Sequence, residues 1–321
     1  MKIEKLSNNF TPRHEGICFE IDSESEVPAD LTVEIVEATS GEVVATQLLR
    51  NTTTATVNIA PYIARIGDLA PSTHQRVSFI EAPTAAYKIR IGEVESEEVV
   101  VSVNRSEIGS SPAIISTMPT LRRIARGEND SVLIKTNTGE PIYAEIESDN
   151  GETLQFTFIP QSELSVLVLS LEDFHYEVSS FDVWLYYNGS VIGTMHYKVV
   201  VPPKTATRLA WLSDKGSVEQ YTFPKSVKTA LTADKRCVLT AEGVSTAHCR
   251  ATQKITLASR IEPRATIEAL AEVATSTKVW VEQNGSWRLV EVATSEMNYN
   301  LFGEPSNLLF EVCLRQKEVA L

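Results

Sequence analysis

The sequence predicts a mainly β protein with two tandem immunoglobulin-like β-sandwiches, followed by a β-rich α+β domain with one helix. Three observations predict this fold class. Short runs that alternate apolar and polar residues recur along the chain, with turn residues about every 8–12 positions. Two such pairs of runs flank Asn-Gly, at Asn188-Gly189 and Asn284-Gly285, which is a strong hairpin signal. A helical period occurs near the end of the chain, in residues 263–274.

The first predicted domain spans residues 1–105 and contains the alternating runs of half-buried strands. Ser40-Gly41 marks a hairpin turn, and residues 60–69 are expected to contain one short helical turn. The expected strands are residues 16–21, 31–36, 43–49, 54–59, 86–91 and 99–103. Many short strands joined by turns are typical of a sandwich or a barrel.

The second predicted domain spans residues 106–203 and repeats the layout of the first. Residues 143–152 parallel residues 33–42, because each alternating run leads to a Gly-Glu turn. Chance similarity between two β modules is the alternative to a repeat. The further strands are expected at residues 154–159, 165–171, 182–187 and 193–201. A polar linker precedes this domain at residues 104–112, and the stiffer Pro202-Pro203 pair follows it.

The third predicted domain spans residues 204–321 and differs from the other two. Its helix is expected over residues 263–274, where apolar side chains recur at i, i+3, i+4 and i+7, with Pro263 at the first helical position. The expected strands are residues 208–212, 217–223, 236–240, 250–258, 279–282, 286–292 and 308–315.

Charge is distributed unevenly among the three domains. Residues 1–105 contain 9 basic and 16 acidic side chains, residues 106–203 contain 5 and 13, and residues 204–321 contain 15 and 13. Two acidic domains argue against nucleic-acid binding, which needs a basic face. Solvated charge that favours solubility is one interpretation. The other is that the third domain contacts a partner while the first two project into solvent.

Neither the amino terminus nor the cysteines indicate an extracellular framework. No apolar segment follows Met1, so no secretory signal is visible, although removal of a signal would leave the same sequence. The apolar runs are too short to span a bilayer, so we expect no membrane partner. Cys18, Cys237, Cys249 and Cys313 lack CxxC spacing, and buried thiols in a reducing compartment are expected. Cys237 and Cys249 could face each other across a hairpin.

Residues with catalytic or metal-binding chemistry are scattered. Asp173 and His175 would share one face of a strand, but no nucleophile is marked nearby. His248 and Cys249 are adjacent, and adjacent strand residues point to opposite faces. The acidic runs at residues 22–26 and 93–98 lack EF-hand spacing, which favours solvated loops over calcium binding. The sequence therefore predicts no catalytic residue, no cofactor and no metal.

Aromatic residues are the best candidates for contact with a partner protein or a glycan. Trp184 and Tyr186 would lie on one face of a predicted hairpin, where rings can stack against sugars or proteins. Alternatively, Trp184 is the core tryptophan of a sandwich. Trp280 and Trp287 flank the Asn284-Gly285 turn and could instead pair across their strands.

Residues 207–315 combine an opening hairpin, the helix at residues 263–274 and a later hairpin. The packing residues of the two hairpins are Leu209, Trp211, Gly216, Tyr221, Phe223, Trp280, Trp287 and Val290. In this pattern the third domain resembles the β-rich carboxy-terminal segments of virion-associated structural proteins from phages and prophages of Bacteroidetes. That family often has Asn-Arg-Phe/Tyr-Gly where this chain has Ser213-Asp-Lys-Gly216.

This resemblance implies a non-enzymatic particle component, associated with a tail or baseplate. Its partners would be other protein subunits, in a homo-oligomer or particle assembly, and its location the virion, or the cytoplasm before assembly. The alternative is a cell-surface adhesion or glycan-binding protein whose signal peptide was removed. An enzyme would require Asp173 and His175 to converge with a third group in a pocket.

Overall fold

The computed structural model of the chain describes residues 1–7, 11–12, 16–63, 69–74, 76–82, 84–102, 112–241, 243–294, 307–315 and 319–320. Strands make up most of this part, and one α-helix lies in the third domain. The predicted fold class, two immunoglobulin-like sandwiches followed by a β-rich domain with one helix, is confirmed.

The first sandwich follows the predicted runs closely and adds short strands at its edges. A 3₁₀ turn at Ala60–Tyr62 lies in the segment expected to contain a helical turn. The ten strands of the first segment are β1 (Lys2–Lys5), β2 (Thr11–Pro12), β3 (Cys18–Asp22), β4 (Ala29–Glu37), β5 (Val43–Thr52), β6 (Thr54–Asn58), β7 (Ser78–Glu81), β8 (Thr84–Ile91), β9 (Val94–Glu95) and β10 (Val99–Ser102).

Two sheets enclose the core of the first sandwich. One has the strand order β1-β3-β6, and the other has the order β2-β10-β8-β4-β5, with β9 paired to β8. Alternate residues of β4 and β8, such as Val33, Ile35 and Ile89, are fully buried between them. The period-two pattern of the sequence therefore separates a core face from a solvent face.

The second sandwich has the same architecture. Its first five strands are β11 (Ala113–Ile115), β12 (Leu121–Ala125), β13 (Asn129–Lys135), β14 (Ile142–Ser148) and β15 (Thr153–Phe158). The last three are β16 (Leu164–Ser170), β17 (Ser180–Tyr187) and β18 (Ser190–Val200). Asn188 and Gly189 both have positive φ, 48° and 75°, as a two-residue hairpin turn between β17 and β18 requires.

Strand order identifies both sandwiches as immunoglobulin-like. The five-stranded sheet of the second sandwich has the order β12-β18-β17-β14-β15, which repeats β2-β10-β8-β4-β5 of the first. In each sheet one short strand runs parallel to its neighbour, β2 to β10 and β12 to β18, while the other pairs are antiparallel. The layout shared by the two sequence segments thus corresponds to a shared topology.

One strand crosses between the sandwiches. The second sandwich has a four-stranded sheet with the order β11-β13-β16-β7, in which β7 is contributed by the first segment. Phe79 of β7 stacks on Phe158 with ring centroids 5.1 Å apart, and Ala82 donates its amide to the Leu164 carbonyl at 3.0 Å. The predicted boundary at residue 105 lies outside the described residues, and it does not anticipate this exchange.

The third domain contains α1 (Arg264–Thr275) and the remaining strands. The helix begins at Arg264, one residue later than predicted, so Pro263 is the N-cap residue and not the first helical residue. The strands are β19 (Thr207–Leu212), β20 (Val218–Phe223), β21 (Lys225–Thr240), β22 (Gly243–Ala258), β23 (Val279–Gln283), β24 (Ser286–Val292), β25 (Leu309–Arg315) and β26 (Val319–Ala320). The main path of the sheet is β20-β19-β23-β24-β25-β22-β21, and β26 pairs with β22.

The sheet of the third domain is covered on both faces around β19. Leu209 and Trp211 of β19 point to the face that holds α1, where they join a core with Leu270 and Phe310. The intervening Ala210 and Leu212 point to the other face and join an apolar cluster with the second sandwich. Alternation along one short strand therefore serves two separate cores.

The second sandwich and the third domain consequently share a buried apolar layer. All seven residues of β16 are buried, because its two faces contact different layers. Leu167 and Leu169 face the sandwich core, whereas Val166 and Val168 face the third domain. The continuous apolar run of this strand is explained by burial on both sides.

The largest departure from the predicted strands is the hairpin of β21 and β22. Short strands were expected at residues 236–240 and 250–258, but each strand has 16 residues. The extra residues are rich in Thr, Ser, Ala and Lys and do not alternate, so the apolar pattern does not reveal them. Cys237 and Cys249, which the sequence left as a possible facing pair, are not opposite each other, because Cys237 lies opposite Thr246 and Cys249 lies opposite Lys235. Cys237 is a free thiol.

Candidate interaction surfaces

The outer face of the five-stranded sheet in the second sandwich carries the predicted aromatic residues Trp184 and Tyr186. Both are half-buried, and they alternate with core residues Val183 and Leu185. The interpretation of Trp184 as the core tryptophan of the sandwich is therefore wrong. Odd-numbered positions of β17 form the core, so even-numbered positions face outward.

Tyr143 extends this aromatic row onto the neighbouring strand. It lies directly opposite Tyr186, with ring centroids 5.7 Å apart and planes inclined by 52°. Glu145 lies opposite Trp184 and accepts hydrogen bonds from Tyr186 Oη at 3.4 Å and Gln155 Nε2 at 3.0 Å. The surface therefore combines three aromatic rings with a carboxylate whose position is fixed.

The two tyrosines of this row favour their neutral form. Partial burial, and then the charge of Glu145, raises the pKa of both Tyr143 and Tyr186. A neutral phenol keeps its O–H donor over a wide pH range. This face can therefore offer donors, acceptors and ring surface to a protein or a glycan.

Trp280 and Trp287 differ in burial, since Trp280 is buried and Trp287 is half-buried. Trp280 is 7% exposed and lies in the apolar cluster between the second sandwich and the third domain. Trp287 packs against the same cluster and donates Nε1–H to the Ser72 carbonyl at 3.3 Å. The two rings are not directly opposed across the hairpin, because Trp280 faces Leu289. Burial leaves Trp280 little surface for a partner, whereas Trp287 is partly exposed, so a partner contact at Trp287 stays a prediction.

A buried polar network joins the second sandwich to the third domain. Arg122 of β12 is buried between two carboxylates, with Asp130 of its own domain at 2.9 Å and Glu219 of the third domain at 3.3 Å. Tyr197 donates its hydroxyl to Asp130 at 2.7 Å. The cation thus bridges two anions that belong to different domains.

Burial and charge together fix the protonation of this network. Burial alone would lower the pKa of Arg122, but its acidic neighbours raise that pKa above its ordinary value. Burial and the nearby Asp130 raise the pKa of Tyr197 well above its ordinary value. Arginine therefore stays charged and tyrosine stays neutral, which is the arrangement that satisfies each polar group.

A second set of polar contacts lies in the same interface. Arg208 of the third domain contacts Glu128 of the second sandwich at 2.6 Å, and Gln220 donates to Ser131 at 3.1 Å. Arg123 also reaches across to Glu262. Buried groups satisfied in this way fix the relative position of the two domains, because sliding would leave them unpaired.

Asp173 and His175 serve structural roles. The Asp173 carboxylate accepts the Val77 amide at 2.8 Å, which helps to hold the segment that leads into β7. His175 is exposed, its ring lies against Tyr176, and its amide donates to Glu152 at 3.0 Å. These contacts account for both residues without a reacting group.

The acidic runs are engaged by cations of the chain. Glu95 accepts a hydrogen bond from Lys88 at 2.6 Å, and Glu24 pairs with the amino group of Met1. Within the described ranges, no group of three His, Cys, Asp or Glu side chains is placed to hold a metal ion. In that same part of the chain, no helix has the length and apolar character needed to cross a membrane.

Sequence reasoning missed two surface features. The outward position of Tyr143 could have been predicted from the alternation of its strand, but its place beside Tyr186 depends on which strands are neighbours. The long β21–β22 hairpin had a weaker signal, since only its Gly243 turn and its β-branched residues indicate strands.

No protein-family model and no curated protein matches the sequence. Three solved structures are similar in part. The chicken interferon gamma receptor alpha chain is 14% identical, with 63% of this chain and 98% of that chain covered and a TM-score of 0.20. A chain from the complex of Dpr2 Ig1-Ig2 with DIP-Theta Ig1-Ig3 is 8% identical, with 98% and 90% covered and a TM-score of 0.21.

The third structure is the eight N-terminal Ig domains of Down Syndrome Cell Adhesion Molecule, isoform 1.30.30. It is 8% identical, with 99% of this chain and 53% of that chain covered and a TM-score of 0.19. Superpositions this loose do not establish a common arrangement of domains. The class of protein, a tandem immunoglobulin-like protein with a β-rich third domain, is defined by its own strand order.

Proposed function

We propose that this protein is a non-enzymatic structural protein that acts through protein–protein contacts, as a component of a phage or prophage particle. The observation that carries the proposal is the fusion of its domains into one continuous body. Strand β7 of the first segment pairs with β16 of the second sandwich and so joins the two sandwiches. The buried Arg122 network joins the second sandwich to the third domain.

Such a body suits a spacing and docking role. Contacts that tie domains by a shared strand and by buried ion pairs resist bending, so distances between surfaces are preserved. The residues by which the third domain resembles virion-associated proteins are used for packing, as Trp211 and Phe223 in its core illustrate. That resemblance supports the particle setting.

The test is the solution mass of the protein, measured by light scattering over a range of concentrations. We expect a discrete trimer, hexamer or larger closed ring, because symmetric contacts that close produce a defined stoichiometry. A monomer at every concentration would contradict self-assembly and would favour the second candidate function.

The second candidate is cell-surface adhesion or glycan binding, and the outer aromatic face favours it. Tyr143, Trp184 and Tyr186 are partly exposed on one rigid sheet beside Glu145, an arrangement suited to stacking against sugars. In glycan-binding assays, Trp184→Ala should abolish binding. Tyr176→Ala is the matched control, since Tyr176 is an exposed aromatic residue outside this face. Equal binding by both variants would exclude this face as the site.

A further inference from the structure

The hairpin of β21 and β22, residues 225–258, is here called the arm. Its base belongs to the sheet, because Thr252–Ala258 pair with β25. Beyond Thr252, the described pairing partners of β22 are β21 and the two residues of β26 at His248-Cys249. At about 3.3 Å per residue, this outer part extends on the order of 30 Å.

The outer part of the arm exposes apolar side chains. Leu239 is 84% exposed and Val244 is 75% exposed, and the two lie opposite each other in the register, so they share one face. Leu231, 65% exposed, lies on the same face by strand alternation. Isolated apolar residues on a surface are ordinary, but the cross-strand pair of Leu239 and Val244 places two strongly exposed aliphatic side chains side by side, which indicates a contact surface.

The arm is also the positive part of an acidic chain. Residues 225–258 contain six basic and two acidic side chains, a net charge of +4, whereas the rest of the chain has a net charge of −17. Lys228, Lys235 and Arg236 are exposed, and none of them forms an ion pair with another side chain in the described part of the protein. An acidic partner would therefore complement the arm.

The chemistry of the arm favours a particular geometry. β21 is the edge of its sheet, and lysines on an edge strand oppose pairing with a second edge of the same charge. Two arms are therefore poor partners for each other. The two sandwiches, with net charges of −7 and −8, are the complementary surface.

We infer that the arm of one copy binds the acidic sandwich surface of a second copy. This inference rests on the proposed assembly function. The apolar pair of Leu239 and Val244 supplies the contact energy, and the cations fix the orientation. Because each copy carries both an arm and an acidic body, the contact is head-to-tail and generates rings when its rotation closes.

The test compares the wild-type chain with three variants by light scattering. In the first variant, residues 233–251 are replaced by Asn-Gly, which joins the paired positions Thr232 and Thr252. The second carries Leu239→Asp with Val244→Asp, and should weaken self-association by about 100-fold or more in Kd. The control carries Val201→Asp with Ile261→Asp, two exposed apolar residues outside the arm, and should associate like wild type.

A mixing experiment tests the geometry. The arm-deleted chain alone should remain a monomer, but it should bind wild-type chains, because its acidic body can still receive an arm. Higher salt should weaken this binding, since the contact depends on charge. If the arm-deleted chain fails to bind wild type, the arm-to-body contact is excluded.

The results distinguish failure of the arm proposal from failure of the proposed assembly function. Self-association of both arm variants at wild-type strength would overturn the role of the arm and leave the assembly function intact. A wild-type monomer at all concentrations would overturn both.

Discussion

At the residue scale, buried polar groups divide into satisfied and unsatisfied ones. Tyr197 is fully buried and donates to Asp130. Tyr87 is also fully buried, but its hydroxyl has no hydrogen-bond partner among the described residues. A buried hydroxyl without a partner costs stability, whereas one bonded to a carboxylate contributes.

These two tyrosines form a matched pair for mutagenesis. Tyr197→Phe should lower the free energy of unfolding by about 1.5–3 kcal/mol, because it removes a hydrogen bond to a charged acceptor. Tyr87→Phe should leave stability unchanged or raise it by up to about 1 kcal/mol. Urea unfolding of the two variants measures the difference, and equal destabilisation would contradict this account.

The same residues predict a decline of stability at alkaline pH. Burial, and then the charge of Glu37, raises the pKa of Tyr87 to about 12, and burial also raises that of Tyr197 and Tyr221. Phenols of the unfolded chain ionise near pH 10. Between pH 10 and 12 the folded state thus binds more protons, so stability falls as pH rises.

Urea midpoints measured from pH 9 to 12, with tyrosinate absorbance recorded in parallel, check this decline. Tyr87→Phe should flatten the curve, because it removes one of the protons retained by the folded state. An unchanged slope in that variant would show that Tyr87 ionises equally in both states.

At the element scale, the strand β7 is the most consequential feature. β7 belongs to the first segment in sequence but extends a sheet of the second sandwich. It thereby covers an edge of β16 that would otherwise be open. Ile80 of β7 packs against the cluster shared by the second sandwich and the third domain. The strand therefore ties the first segment to both of the others.

Ile80→Asp should detach β7, since a charge would then face an apolar cluster. Hydrogen exchange should become at least about 10-fold faster at the β16 amides that face β7, because they lose their partners. Val44→Asp, on the exposed edge strand β5, is the control and should leave β16 protected. Unchanged protection of β16 in Ile80→Asp would mean that β7 contributes little to this edge.

At the scale of the whole molecule, a few polar contacts decide how the domains are held. The interface is largely apolar, but Arg122 sits in it between Asp130 and Glu219. Removal of the cation would leave two buried carboxylates without a countercharge. The loss of Arg122 would therefore lower the free energy of association between the second sandwich and the third domain.

Arg122→Met should therefore destabilise the unit formed by these two domains by about 3–5 kcal/mol. The matched control is Arg90→Met, since Arg90 pairs with Glu34 at 2.7 Å while both remain about a third exposed, and its cost should stay below about 1 kcal/mol. Tryptophan fluorescence during urea unfolding reports the transition. Equal midpoints for the two variants would refute the bridging role of Arg122.

Much of the local structure could be predicted from the sequence. The alternation in β4, β14 and β17, the Asn-Gly turns and the period of α1 are local signals, and each led to the correct element. The repeated layout led to the prediction of two immunoglobulin-like sandwiches, and the order of their strands came from the structure. Their physical basis is short-range, because a side chain's face and a turn's φ angles depend on neighbours in sequence.

The candidate surfaces depended on longer-range contacts. Trp184 and Trp280 look alike in sequence, since each lies in an alternating strand near a turn. The first is on a sheet face left open, and the second is on a face covered by another domain. No local pattern encodes which face of a sheet a distant domain covers.

The sequence by itself determined the fold class, the faces of most strands and the acidic character of the two sandwiches. Only the tertiary structure decided that β7 belongs to the second sandwich, that Arg122 bridges two domains and that residues 225–258 form an arm. The reason is that backbone pairing and burial of charge are satisfied between segments far apart in the chain, which periodicity does not reveal.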